Sequence, residues 1–211
     1  MGLIQDNRPR DWAYKAVFKE KDLPSLEEMA RRIRETHDVS IIEDFNQKCE
    51  QKLQRQGEKA VLDNGLEIEA VTKSGDLVVN TGLQQCLNII LGTSSARFSH
   101  FGFSPGNVPA PAVTDTALLV ETVAQRVVLS WSESVGMRLY FGGISSQTSG
   151  SAPTQVGEIG VYNGAAAGAI LLNRTSWPTT TLSPAQNTTS FSTIKTAPIV
   201  VSCVVQFCPV V

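Results

Sequence analysis

Residues 157–175 read GEIGVYNGAAAGAILLNRT, and this stretch decides the fold class. Residues 158–162 and 170–174 are largely apolar runs of strand length, and the small residues between them are typical of a turn. We therefore predict a β-hairpin that turns through residues 163–168. Glu158 and Arg174 carry the charges of this stretch. The hairpin brings them together at its open end, so they are predicted to form a structural ion pair.

Short strand patterns continue through most of the chain after residue 60, separated by linkers rich in Gly, Ser, Thr, Pro and Asn. Residues 66–71 and 77–79 are predicted to pair as a hairpin about a turn at Ser74-Gly75-Asp76. Residues 81–91 instead place apolar side chains at helical spacing and stop before Gly92, which predicts one short internal helix. The expected fold is mainly β, with a β-sandwich or jelly-roll-like body. The other strand candidates are residues 98–103, 123–131, 137–144, 191–196 and 199–207.

The density of charged side chains falls sharply near residue 60. Residues 1–60 carry 12 basic and 12 acidic side chains, whereas residues 61–211 carry 6 and 8. A solvated helical segment tolerates dense charge, but strands that are covered on both faces do not. A boundary is therefore predicted at residues 60–65. It divides the chain into a charged α-helical N-terminal arm at residues 1–62 and the β-sandwich-like body at residues 63–211.

Two amphipathic helices are predicted within the arm. Ser25 with Glu28, and Ser40 with Glu43, match the capping box that begins many helices. Apolar residues follow each start at spacings of three or four, which places them on one helical face. These faces either cover the chain's own body or dock on another subunit. They comprise Leu26, Met29, Ala30 and Ile33 in the first helix, and Val39, Ile42, Phe45, Cys49 and Leu53 in the second.

Side chains near the start of the chain favour the docking alternative. Tryptophan, tyrosine and arginine are enriched where the energy of protein binding is concentrated. Acidic residues interleave with the basic ones in this region, which argues against nucleic acid as the partner. The predicted partner-binding residues are Arg8, Arg10, Trp12, Tyr14, Phe18, Leu26, Met29, Ile33, Ile42 and Phe45.

Two stretches match catalytic motifs in their residue letters but lack the groups or the geometry that the chemistry requires. Residues 102–106 match the G-x-S-x-G of hydrolases, but Pro105 has no N–H to stabilise an oxyanion, and no histidine follows His100. Residues 192–195 match S-x-x-K, but on a strand Ser192 and Lys195 would point to opposite faces. Acid and base chemistry would need Asp115, Glu121 and Glu133 to converge in a pocket. No catalytic residue is therefore predicted.

Metal, cofactor and membrane roles also lack a pattern. The four cysteines and two histidines are too scattered for zinc ligands or for a disulfide framework. Apolar stretches are too short or too interrupted to cross a bilayer, which takes about 20 apolar residues. A net charge of -2 gives no overall attraction to nucleic acid. The sequence predicts no metal, no cofactor, no nucleic acid and no membrane partner.

Five segments in a fixed order resemble one class of proteins. They are NTGL (80–83) before a helix, FGFS (101–104), TDTAL (114–118) with Glu121, GEIGVYN (157–163) and NRT (173–175). This succession is similar to that of β-rich virion structural proteins of tailed bacteriophages, over about residues 80–200. The charged arm lies outside the resemblance.

The resemblance implies a non-enzymatic virion protein that is made in the host cytoplasm and assembles in several copies by symmetry. Its partners would be itself, as a homo-oligomer such as a trimer or a hexamer, and other virion proteins of the tail, baseplate or neck. A capsid decoration protein on the head surface is the first alternative. A receptor- or glycan-binding module is the second, and would need exposed aromatic side chains from among Trp131, Tyr140, Tyr162 and Trp177.

Overall fold

The computed structural model describes residues 11–55, 58–104, 109–119, 121, 126–136, 138–145, 157–176 and 198–206. Across these ranges the chain forms eleven β-strands, three α-helices and a single 3-10 turn at Glu20–Asp22. The helices are α1 (Leu23–Thr36), α2 (Ser40–Gln54) and α3 (Asn80–Ile90). The strands are β1 (Asp11–Val17), β2 (Ala60–Val61), β3 (Glu67–Ile68), β4 (Ala70–Val78), β5 (His100–Ser104), β6 (Val127–Val128), β7 (Trp131–Val135), β8 (Arg138–Ser145), β9 (Glu158–Tyr162), β10 (Leu171–Ser176) and β11 (Ile199–Gln206).

Nine strands form one antiparallel sheet in the order β6-β5-β9-β10-β4-β1-β11-β8-β7, and β2 pairs with β3 separately. The sheet is curled like a half-barrel. β6 and β7 follow each other closely in the sequence, yet they are the two edge strands of this sheet. β6 pairs with β5 at one edge, and β7 pairs with β8 at the other, so the two edges lie close together. Phe101 of β5 accordingly lies against Gly143 of β8 across the concave side. The mainly β prediction is confirmed, but one curled sheet does not confirm a two-sheet sandwich or a jelly roll.

The N-terminal segment belongs to this sheet. β1 lies between β4 and β11, with Tyr14 opposite Lys73 on one side and Ser202 on the other. Its side chains alternate, because a strand points successive residues to opposite faces. Ala13 and Val17 enter the core on the concave side, whereas Tyr14 and Phe18 enter the core under α1 and α2. The separate helical arm at residues 1–62 is therefore not confirmed, and one sheet spans the boundary predicted at residues 60–65.

Both predicted N-terminal helices exist, but neither is capped as expected. α1 begins at Leu23, two residues before Ser25, with Pro24 in its first turn, where a missing N–H costs nothing. Glu28 bonds Arg31 instead of the start of the helix. α2 begins at Ser40, whose hydroxyl donates to Asp38 at 2.6 Å. The predicted capping boxes are wrong, because nearby ionic and hydrogen-bonding partners take up these side chains.

The predicted hairpin at Ser74-Gly75-Asp76 is also wrong. These residues lie inside β4, which pairs with β1 on one side and with β10 on the other. A turn would forfeit the backbone hydrogen bonds of both ladders, each of which is costly to leave unmade when buried. The turn-forming composition is therefore overridden by two strands that are distant in sequence.

The predicted short internal helix is confirmed as α3, which packs against β10 beside the concave core. A Cβ at Gly82 would lie 2.3 Å from the carbonyl oxygen of Leu172, so glycine permits this close approach. Leu83 and Cys86 of α3 pack on the concave core. The hairpin predicted for residues 158–174 is present as β9 and β10. The strand predicted at residues 191–196 lies outside the part of the chain that the structure describes.

Candidate functional site

A covering segment, residues 109–119 with Glu121, crosses the outer face of β5, β9 and β10. Leu118 packs there with Val79, Tyr162 and Leu171 in a small core of its own. Its backbone N–H donates to the Tyr162 hydroxyl at 3.0 Å. The segment contains residues 113–119 and 121 of the VTDTALLVE stretch, so this motif of the phage resemblance lies directly on β5, β9 and β10, which carry FGFS, GEIGVYN and NRT.

Arg174 joins the covering segment to the hairpin. Its guanidinium binds the carboxylate of Glu158, donates from Nη1 to Asp115 at 2.5 Å, and donates from Nη2 to the Pro109 carbonyl at 3.2 Å. Glu158 also accepts the N–H of Leu119 at 3.2 Å. The ion pair that the sequence suggested is thus present, with Arg174 and Glu158 only 2% and 0% exposed. It also fixes the covering segment at both ends.

The charged form of this cluster is stable inside the protein. Burial alone would lower the pKa of the Arg174 guanidinium, but the carboxylates of Asp115 and Glu158 outweigh burial and raise the pKa above its usual value. The guanidinium therefore stays protonated and keeps both carboxylates paired. A cluster of charges paired in this way holds the covering segment and the hairpin together.

A second buried pair lies beside the first. Arg126 makes a two-pronged ion pair with Glu121, at 2.7 and 2.9 Å, and its guanidinium stacks 3.6 Å from the centre of the Tyr162 ring. It also donates to the carbonyls of Gly164 and Ala166 in the hairpin turn. The sequence did not predict this pair, because residues five apart outside regular structure have no set separation. The sequence signal that could have indicated the Arg126–Glu121 pair was the small number of charged side chains in residues 63–211.

The carboxylates that could have served acid and base chemistry do not converge. Asp115 binds Arg174, Glu121 binds Arg126, and Glu133 of β7 lies 3.0 Å from His37 at the end of α1. Ser104 of the hydrolase-like match is fully buried. Within the described residues, no group of His, Cys, Asp and Glu side chains could hold a metal ion.

The aromatic side chains considered for glycan binding are not exposed. Trp131, Tyr140 and Tyr162 are buried, and Trp177 lies outside the described ranges. The Tyr140 hydroxyl donates to Glu43 at 2.9 Å, and the Tyr162 hydroxyl is used by the covering segment. The receptor- or glycan-binding alternative thereby loses its main support.

Most of the predicted partner-binding residues are packed against other residues of the same chain. Trp12 is 42% exposed and has the ammonium group of Lys73 at 3.9 Å from its ring centre. Arg8 and Arg10 lie outside the described residues. The others form the core between α1, α2 and the outer face of the sheet, so these helices cover their own sheet. This corrects the docking interpretation for Tyr14, Phe18, Leu26, Met29, Ile33, Ile42 and Phe45.

The concave side of the sheet contains a buried carboxylate on β4. Asp76 accepts hydrogen bonds from the Asn173 amide, from the Thr175 hydroxyl at 2.5 Å and from the Leu77 N–H at 3.0 Å. Burial raises the pKa of Asp76 to about 6, although these three donors oppose the rise. Lys15 also points into this interior, where burial lowers the pKa of its ammonium group to about 7.

We expect Asp76 to make folding stability depend on pH. Its pKa is higher in the folded state than the ordinary 3.8, so its contribution is fully present below pH 3.8 and is lost as the pH rises through about 6. A shift of this size corresponds to about 3 kcal/mol. Urea unfolding from pH 4 to pH 7 should show this loss, and Asp76→Asn should flatten that part of the profile. Asp63→Asn, at an exposed turn, is the control, and equal profiles for Asp76→Asn and the parent chain would contradict the assignment.

None of the helices in the described part of the chain is long and apolar enough to span a membrane. Comparison of the sequence and the fold with protein families, with curated proteins and with solved structures finds no match.

Proposed function

We propose that this chain is a non-enzymatic structural component of a tailed-phage particle, present in several copies in the tail, baseplate or neck. One observation supports the proposal most directly. Three of the segments that resemble phage virion proteins, TDTAL, GEIGVYN and NRT, come from separate parts of the sequence and meet in one buried network, in which Arg174 binds Asp115 and Glu158 while Tyr162 stacks on Arg126.

The chemistry of that network fits a structural role. Ligand sites present a few polar groups towards a cavity, where a substrate can reach them. Here the charged side chains point at one another, and Arg174, Glu158 and Tyr162 are almost completely buried. The motif residues therefore stabilise the covering segment and the hairpin. A subunit of an assembly needs this kind of rigidity, because it must keep its shape when it binds its neighbours.

Purified particles from the host that carries the gene provide the test. Quantitative mass spectrometry of density-purified particles should find the chain in a fixed ratio to the other virion proteins. Immunogold labelling with an antibody against it should mark the tail, baseplate or neck. Label over the head would instead identify a decoration protein. Absence from the particles would overturn the proposal.

A further inference from the structure

The covering segment lies on the sheet as a surface peptide. Residues 109–119 form no strand, and Leu118 is the only one of them that is buried. Neither of the two large cores contains a residue of this part of the segment. The segment is therefore attached to the sheet mainly by specific polar contacts, and its departure would leave both large cores in place.

Groups of the hairpin and of α3 bind the backbone of the covering segment. Two of them accept from successive N–H groups, and two donate to carbonyl oxygens. The contacts are those of the Tyr162 hydroxyl with the N–H of Leu118 (3.0 Å), the Glu158 carboxylate with the N–H of Leu119 (3.2 Å), the Asn80 N–H with the carbonyl of Val113 (2.8 Å), and the Arg174 guanidinium with the carbonyl of Pro109 (3.2 Å). Peptide-binding proteins obtain affinity from backbone hydrogen bonds of this kind.

Two side chains of the segment add specificity to these backbone contacts. Asp115 binds Nη1 of Arg174 at 2.5 Å. Leu118 enters an apolar pocket in which it packs against Tyr162 and Leu171. In peptide recognition such side-chain pockets select the sequence of the ligand. The site therefore selects an aspartate that is followed three residues later by a leucine.

Two glycines form the floor beneath the segment. Gly102 of β5 and Gly160 of β9 lie directly opposite each other in the sheet. A Cβ at Gly160 would lie 3.0 Å from Cδ2 of Leu118, and a Cβ at Gly102 would overlap the carboxylate of Glu121. Glycine inside a strand often marks a place where another backbone approaches closely. The glycines of the FGFS and GEIGVYN motifs thus leave room for the segment.

Departure of residues 113–119 would change little else in the protein. Arg174 would still be paired with Glu158, because both belong to the hairpin. No buried charge would therefore be left alone, and Leu118 would be the only buried side chain to leave its pocket. Segments with few buried apolar contacts open locally while the rest of a protein stays folded. The site can therefore release its occupant without unfolding of the sheet.

We infer that the outer face of β5, β9 and β10 is a peptide-binding site, and that residues 113–119 occupy it as a tethered ligand. The ligand class is a peptide with an aspartate three residues before a leucine, in which the leucine and the next residue have free N–H groups. The inference goes beyond the proposed function, because it assigns a binding site and its ligand. A free peptide of the same sequence is expected to replace the tethered segment once the tethered segment has lost its two anchoring side chains.

The test vacates the site in the full-length chain and offers the segment as a separate peptide. Asp115→Ala combined with Leu118→Ala removes both anchors but no residue of the two large cores. The peptide PAPAVTDTALLVE, residues 109–121, is then titrated, and the amide signals of β9 and β10 are followed by NMR. A tethered segment has an effective concentration on the order of millimolar, so its binding in the parent chain predicts a Kd of about 1 mM or below for the peptide.

Two controls isolate the site and its specificity. Thr114→Ala combined with Leu119→Ala shortens exposed side chains of the same segment. This variant and the parent chain should keep their own segment bound, so the peptide should shift their signals much less. A peptide that has alanine in place of Asp115 should bind the vacated variant at least about ten-fold more weakly, because hydrogen bonds to charged groups contribute strongly.

A vacated variant that is folded but does not bind the peptide would overturn the inference. Equal shifts in the vacated variant and the parent chain would also overturn it, as would equal affinity for the two peptides. Hydrogen exchange of the parent chain is an independent measurement that needs no variant. The amides of Leu118 and Leu119 should exchange at least about ten-fold faster than that of Val161 in β9, because the segment opens locally. Equal rates would show that the segment leaves only when the sheet unfolds, and would contradict a tethered ligand.

Discussion

A chain that begins at residue 63 is expected not to fold. The charge pattern of the sequence places a domain boundary there, which predicts a stable fragment. In the structure, the same cut removes β1 from the middle of the sheet. β4 and β11 would lose their shared neighbour, and each would expose a row of unpaired backbone groups.

The cut also removes large side chains from both cores. Val17 of the concave core and Phe18, Leu26, Ile33, Ile42 and Phe45 of the outer core are at most 1% exposed in the intact chain. Burial of such a side chain contributes about 1.5 to 3 kcal/mol, so the six together contribute about 9 to 18 kcal/mol. Whole domains are stable by about 5 to 15 kcal/mol. The loss is therefore comparable to the entire stability of the protein.

Circular dichroism and amide NMR of residues 63–211 should show an unfolded or aggregated chain. Co-expression of residues 1–62 with residues 63–211 is the control, and it should yield a soluble complex, because β1 and its helices can then be supplied from outside. A fragment 63–211 that melts cooperatively on its own would show that the predicted boundary is real and that β1 is dispensable.

Replacement of Arg174 by alanine is expected to destabilise the chain by about 3 to 5 kcal/mol, the usual cost of removing one partner from a buried ion pair. Glu158, which is 0% exposed, would lose its guanidinium partner in the interior. Asp115 and the Pro109 carbonyl would lose their donors, so the covering segment would loosen as well. For a chain of this length the change corresponds to a melting temperature lower by about 6 to 20 °C.

Differential scanning calorimetry of three variants separates the causes. Arg97→Ala removes the same side chain at an exposed position and should change stability by no more than about 0.5 kcal/mol. Arg174→Met combined with Glu158→Leu replaces the pair by apolar side chains and should recover much of the loss, since the unpaired carboxylate that remains, Asp115, is 20% exposed and reaches water. If Arg174→Ala melts with the parent chain, the network does not stabilise the fold.

Local patterns were sufficient where neighbours in sequence are also neighbours in space. The hairpin from Glu158 to Ser176 joins two strands through a short turn, so strand length, turn residues and the Glu158–Arg174 pair could be predicted from one stretch. α3 was predicted for the same reason, because the bonds of a helix are local. The apolar faces of α1 and α2 were identified correctly, although the pattern left open what they cover.

Patterns failed where a distant strand decided the outcome. Ser74-Gly75-Asp76 has the composition of a turn, yet β1 and β10 hold it as the middle of a strand. Residues 12–18 suggested a docking anchor, because their aromatic side chains are equally suited to a core. The Arg126–Glu121 pair depends on the path of the covering segment, which no local rule specifies.

By itself, the sequence determined the mainly β character of the fold, the three helices, most of the strands and the ion pair of the hairpin, because these depend on periodicity and on short-range contacts. The tertiary structure alone decided that β1 is central, that the N-terminal helices cover their own sheet, and that three motif segments share one charge network. The physical reason is that a strand's partners are chosen by the total burial and hydrogen bonding of the assembled sheet. The residues that contribute to this burial and hydrogen bonding can lie near opposite ends of the sequence. A short window of sequence therefore cannot reveal which strands will pair.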